Sequence, residues 1–98
     1  MYYMFIFVTR RKMVREFARQ IARLQKRADE FYYKDNPPKK NKNNHVSWIL
    51  DQVYPLQKMC KELGIEKQVY KEAYKIYDFR NSGKTGYTLV NGKIVKQD

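Results

Sequence analysis

TRRKMVREFARQIARLQKRADEFYY, residues 9 to 33, decides the fold. Val14, Phe17, Ile21, Leu24, Ala28 and Phe31 recur in it at spacings of 3, 4, 3, 4 and 3, which sets them on one side of a helix of 3.6 residues per turn. The spacing predicts a helix over residues 10 to 33, with Thr9 as N-cap because its hydroxyl suits a first-turn amide. The same seam would serve a short coiled coil, so it faces either the rest of the chain or a second copy in a homodimer. With about three heptads, packing within the chain is favoured.

The other side of this helix carries Arg11, Arg15, Arg19, Arg23 and Arg27 at four-residue intervals. Each step turns the side chain by about 40°, so the arginines sweep across the face opposite the apolar seam. Lys12 and Lys26 join them, and residues 9 to 42 hold twelve basic against four acidic side chains, a surplus of +8. Too few acids are present for this face to be a network of intrahelical ion pairs. An arginine fork bonds phosphate oxygens in pairs, so a row of forks on a rigid helix matches a phosphate backbone or a major groove.

Residues 34 to 45, KDNPPKKNKNNH, offer almost nothing to bury and read as a basic, flexible loop. Its Lys39, Lys40 and Lys42 extend the cationic candidate surface. A second seam follows at Val46, Ile49, Val53, Leu56, Cys60 and Leu63, with Pro55 inside it. Proline lacks an amide donor and clashes with the preceding turn, so a kink or two shorter helices are expected there. Gly64 closes that element, and Ile65, Val69, Ala73 and Ile76 outline a third helix over residues 66 to 79, stopped by Asn81, Ser82 and Gly83. Lys67, Lys71 and Lys75 share this helix with Tyr70, Tyr74 and Tyr77. The lysines could attract phosphates and the rings stack on bases, but the closeness of the rings to Ala73 and Ile76 favours core packing with exposed hydroxyls.

YTLV, then Asn91-Gly92, then KIV reads as a hairpin with a type I′ turn, in which Leu89 faces Ile94 and Thr88 faces Val95. An isolated hairpin is marginal in water, so it is expected to dock on the helices or to take residues 1 to 8 as a third strand. That run, MYYMFIFV, is far shorter than the roughly 20 residues of a membrane span. It is read as a buried strand or, since Met4 and Met13 are alternative starts, as a loosely attached extension. No membrane partner is expected.

With 98 residues, one domain is expected over 1 to 98, of mainly helical α+β class: three main helices, a C-terminal hairpin and optionally the N-terminal strand. A net charge of +11 and a pI near 9.8 favour polyanionic partners. One cysteine, Cys60, excludes an intramolecular disulfide and points to a reducing, intracellular setting, the cytoplasm or nucleoid of a host cell.

Signals for catalysis are weak. Ser82, Gly83, Lys84 and Thr85 end like a nucleotide-binding loop, but Asp78 stands where the first glycine belongs. Lys84, with Arg80 nearby, retains the option of touching a phosphate. His45 and Cys60 are too few for a zinc site. Asp29, Glu30 and Asp35 read as lying in a basic, polar setting without cause for shifted pKa values. No cofactor, no metal and no enzymatic activity are expected.

LQKMCKELGIEKQVYKEAYKIY, residues 56 to 77, resembles the first helical hairpin of the cyclin fold in the transcription initiation factor B family. The matching positions are Leu56, Cys60, Leu63, Gly64, Ile65, Val69, Ala73, Ile76 and Tyr77; the proline usual after the turn is Glu66 here, and the remaining cyclin helices have no counterpart. The resemblance covers 22 of 98 residues and carries over no DNA- or polymerase-contacting position. It implies a transcription-linked setting, such as a reduced factor of viral or mobile-element origin. The expected function is nucleic-acid binding, duplex DNA favoured over RNA. The alternative is a protein-interaction module or inhibitor occupying an acidic or nucleic-acid-binding surface of host transcription or defence machinery.

Overall fold

A computed structural model describes residues 9–33 and 43–97. The expected N-terminal strand and most of the basic loop, including Lys39, Lys40 and Lys42, lie outside the described residues. Among the described residues, four helices and a hairpin follow one another: α1 (Arg10–Tyr32), α2 (Asn43–Leu50), α3 (Val53–Glu62), α4 (Glu66–Ile76), β1 (Tyr87–Val90) and β2 (Lys93–Lys96). The fold is mainly helical α+β, with the middle of the three expected helices split in two. Helix α2 starts at Asn43, so the last three residues assigned to the loop are helical.

Thr9 caps α1, its hydroxyl oxygen accepting from the Lys12 amide at 3.2 Å. The seam turns inward onto the chain's own helices, with Val14, Ile21, Leu24 and Ala28 buried, and is therefore occupied without a second copy. Its two phenylalanines depart from expectation. Phe17 is half-buried and Phe31 exposed, while Ala18 and Ala22 are enclosed in their stead. The stripe is rotated towards its alanines because their short side chains let α1 approach α4, where Val69 and Ala73 are fully buried opposite. Enclosing Ile21 and Val69 contributes about 1.5–3 kcal/mol each.

The break between α2 and α3 falls at Asp51 and Gln52, and Pro55 is the third residue of α3. In a first turn its missing donor costs nothing, and the carbonyl its ring would strike, four residues back, lies outside the helix. Helix α3 ends in a left-handed cap: Gly64 has φ +70°, its amide donates to the Lys61 carbonyl at 3.1 Å, and the Ile65 amide reaches back to Cys60 at 3.0 Å. This closes the orphaned carbonyls and brings buried Ile65 against buried Cys60, whereas Leu63, expected in the seam, is exposed.

Helix α4 stops at Ile76, three residues before the expected end, and the chain turns extended at Tyr77, with φ −152° and ψ 116°. Extended backbone alternates sides, so Tyr77 and Phe79 both point inward and Asp78 outward. These rings take the place expected for Ile76, which is 58% exposed. Phe79 gathers the tyrosines of α4, with ring centroids 4.8 Å from Tyr74 and 6.2 Å from Tyr70. The tyrosine stripe is thus a packing element, and burial pushes the Tyr70 hydroxyl up to about 12.

The hairpin has the expected register, Leu89 opposite Ile94 and Thr88 opposite Val95. Asn91 and Gly92 have φ of 51° and 78°, the pair of positive values a type I′ turn demands. Leu89 and Ile94 pack against the helical core, which supplies the support that two strands lack by themselves. No described helix is long and apolar enough to cross a membrane.

Candidate nucleic-acid interface

Helix α1 builds the site. Arg11, Lys12, Arg15, Arg19, Arg23, Lys26 and Arg27 are all exposed: Arg11 and Arg15 flank the buried stripe on the side of α4, and the helical period carries the rest further round to the outer face. Four residues advance the helix by about 6 Å, so the ladder from Arg11 to Arg27 runs for about 24 Å. Among the described residues, one of these cations has an internal carboxylate: Arg19 lies 3.7 Å from Glu16, with both side chains well exposed. Such a pair on an open helix face contributes about 0.3–0.5 kcal/mol and yields readily to a stronger anion. Arg10 is engaged differently, donating to the Gly64 carbonyl at 3.2 Å and so tying the start of α1 to the turn between α3 and α4. The first turn of α1 holds no acid, so Arg10, Arg11 and Lys12 crowd the positive end of the helix dipole.

The ladder's two ends border other elements. Arg10, Arg11 and Arg15 face Gln68, Lys71 and Glu72 of α4 across an open groove. Lys26 lies beside Lys75 of α4 and Lys93 of β2, around a second recess between α1, α4 and the hairpin. Lys71 was read only as part of the lysine stripe on its own helix, and its place in one groove with Arg15 follows from how α4 crosses α1. Arg80, considered as a phosphate contact for the loop, is instead held by Asp78, with Nε–Oδ1 at 2.9 Å and Nη2–Oδ2 at 2.7 Å, and its guanidinium lies over the Tyr74 ring. That partner draws the Asp78 carboxyl below its ordinary range.

Asp29 overturns its reading as an acid in a basic, polar setting without cause for a shifted pKa. It is 1% exposed, accepts from the Tyr77 hydroxyl at 2.8 Å and from the Ser82 hydroxyl, and burial raises its pKa. Tyr77 likewise has a buried hydroxyl with a partner, where an exposed one was expected. Just past the end of α1, the hydroxyl of the capping residue Tyr33 accepts from the Gly83 amide at 3.0 Å. Together these bonds fasten the turn of residues 80 to 83 to the end of α1. The cluster is a structural tie: Asp29 and Tyr77 at its centre are enclosed, and no group of three or more His, Cys, Asp or Glu able to hold a metal ion occurs among the described residues.

Comparison of the chain with protein-family models, with characterised proteins and with solved structures finds no match.

Proposed function

We propose that the protein binds nucleic acid, preferentially duplex DNA, through the outer face of α1, and that it is not an enzyme. The observation that carries this reading is the row of seven exposed cations from Arg11 to Arg27, of which Arg19 has an internal carboxylate partner among the described residues. An uncompensated cationic face raises the free energy of the folded chain by self-repulsion and is relieved by a polyanion. A helix of roughly 10–12 Å diameter fits a major groove about 12 Å wide, and a ladder that turns about 40° per step presents forks to both groove walls. Lys39, Lys40 and Lys42 are assigned to the same surface on charge. A transcription-linked role and a viral or mobile-element origin rest on the likeness of residues 56–77 to the initiation factor B hairpin, and a place in a host cytoplasm or nucleoid rests on the single cysteine, Cys60.

Binding to duplex and single-stranded DNA over a salt series tests this reading, with Arg15, Arg19 and Arg23 each changed to Glu in one variant. Contact with about six phosphates predicts a loss of roughly a thousandfold between 50 and 200 mM salt, and the triple variant is expected to lose binding. Unchanged affinity in that variant overturns the surface.

A second reading has its own support. Trp48 and Tyr54 are 67% and 63% exposed on α2 and α3, with Met59 and Leu63 also open. Large apolar groups at a surface favour a protein partner, here one occupied by an interaction module or inhibitor. Recovery of a fixed partner after nuclease treatment, lost on changing Trp48 and Tyr54 to Ser, favours this reading over the first.

A further inference from the structure

Arg11 and Arg15 of α1 and Lys71 of α4 line one groove between the two helices, together with Arg10. Cations brought together from two separate elements repel unless a counter-charge lies between them. Glu72 is the acid lining this groove, and it is engaged by Lys75 at 3.1 Å, on its own helix. Arg11, Arg15 and Lys71 have no carboxylate partner among the described residues, and all three side chains are exposed. Gln68 adds an uncharged donor on the α4 wall, and Val14, 7% exposed, lies between the two walls. The groove therefore combines fork-shaped donors, a mobile ammonium and an amide around an open volume of about 490 Å³, room enough for a phosphate with its flanking sugars.

We propose that this groove seats one internal phosphodiester of the bound nucleic acid, held from one side by Arg11 and Arg15 and from the other by Lys71. The proposal rests on the nucleic-acid reading of α1 and deepens it: α4 is a second contacting element, and the seated phosphate fixes the register of the backbone along the arginine ladder. A phosphate held from two helices is oriented in a way that a single row of cations along one helix does not achieve.

The test measures binding of a duplex of about 20 base pairs without terminal phosphates, so that only internal diesters are on offer. Lys71→Gln is compared with Lys67→Gln, an exposed lysine on the same helix that does not line the groove. Loss of one phosphate contact lowers the salt slope by about 0.9 and weakens binding roughly five- to tenfold at 0.1 M salt. That loss is expected for Lys71→Gln, with a much smaller one for Lys67→Gln. Arg15→Gln and Lys71→Gln share one phosphate, so their combined effect should depart from the product of the single effects, whereas Arg27→Gln and Lys71→Gln should multiply. Equal behaviour of the two lysine variants, or independent effects of Arg15 and Lys71, overturns the groove while leaving the ladder standing. If the wild-type protein fails to bind the duplex, or if the Arg15, Arg19 and Arg23 charge reversal leaves binding intact, the reading of α1 falls and the groove with it.

Discussion

The hydroxyl of Tyr77 donates a 2.8 Å hydrogen bond to a carboxylate oxygen of Asp29, and both side chains are enclosed, at 6% and 1% exposure. Asp29 belongs to the last turns of α1 and Tyr77 is the extended residue that follows α4, so a bond across 48 positions of sequence fixes where the chain leaves its helical layer. A buried carboxylate needs such donors, since leaving one of its oxygens unbonded costs about 1–3 kcal/mol or more. Tyr77 supplies one at the start of the extended segment and Ser82 the other from the turn that follows it.

Tyr77→Phe removes the donor and keeps the ring. Stability should fall by about 1–3 kcal/mol, a drop in melting temperature of roughly 4–8 °C per kcal/mol for a domain of this size. Thermal denaturation followed by circular dichroism checks this, and a melting temperature equal to that of wild type would show that the bond contributes nothing.

Asp29 also sets a pH dependence. Burial raises its carboxyl pKa in the folded protein above the ordinary 3.8. A raised folded value means the folded state binds its proton more tightly than the unfolded state does, so acidification favours folding. This contribution is complete below the unfolded value near 3.8 and is lost as pH rises through the folded value. Asp78 acts oppositely, but only as pH falls below its ordinary range, because Arg80 lowers its pKa. Urea denaturation should therefore show stability increasing as pH is lowered from 7 towards 4, and Asp29→Asn should flatten that rise.

The fold was legible where geometry is local. Asn91-Gly92 dictates its own turn, and once the turn is fixed Leu89 must meet Ile94. The ladder was legible for a similar reason, since the helical period settles which side of α1 Arg15, Arg19 and Arg23 occupy as soon as Val14, Ile21 and Ala28 are placed inside. What escaped depends on partners far away. Asp29 has the spacing and company of a surface acid, and its enclosure comes from Tyr77 and Ser82, 48 and 53 positions on. The inward turn of Phe79 was hidden for another reason: Tyr77-Asp78-Phe79 alternates like a strand, but three residues are too few to outweigh the helical pattern preceding them. Lys71 joins the cationic surface only through the crossing of α4 over α1.

Salt should act on the free protein and on its complex in opposite senses. Screening relieves repulsion among the cations of α1, so the unbound chain should melt at a higher temperature in 0.5 M than in 0.05 M sodium chloride, while its hold on DNA weakens. Calorimetry of the free protein measures the first effect, and a melting temperature that falls with salt would contradict the picture of an uncompensated face.

Gly92→Ala should cost about 1 kcal/mol, because φ of 78° strains any residue with a Cβ although nothing lies within 4 Å of one placed there. The penalty falls on the hairpin, so the cross-strand nuclear Overhauser contact between Leu89 and Ile94 should weaken while the helical circular dichroism signal persists. Loss of helical signal would show the hairpin and helices to be one cooperative unit.

Cys60 has no exposed surface, seated where the cap of α3 folds back over it, and burial raises its thiol pKa. A thiol so enclosed is chemically silent until the surrounding helices part, which makes it a clock already built into the molecule. The speed at which iodoacetamide labels it, read by mass, counts how often the native protein breathes open, and ligands that hold α1 against its neighbours will slow that count without any dye or tag.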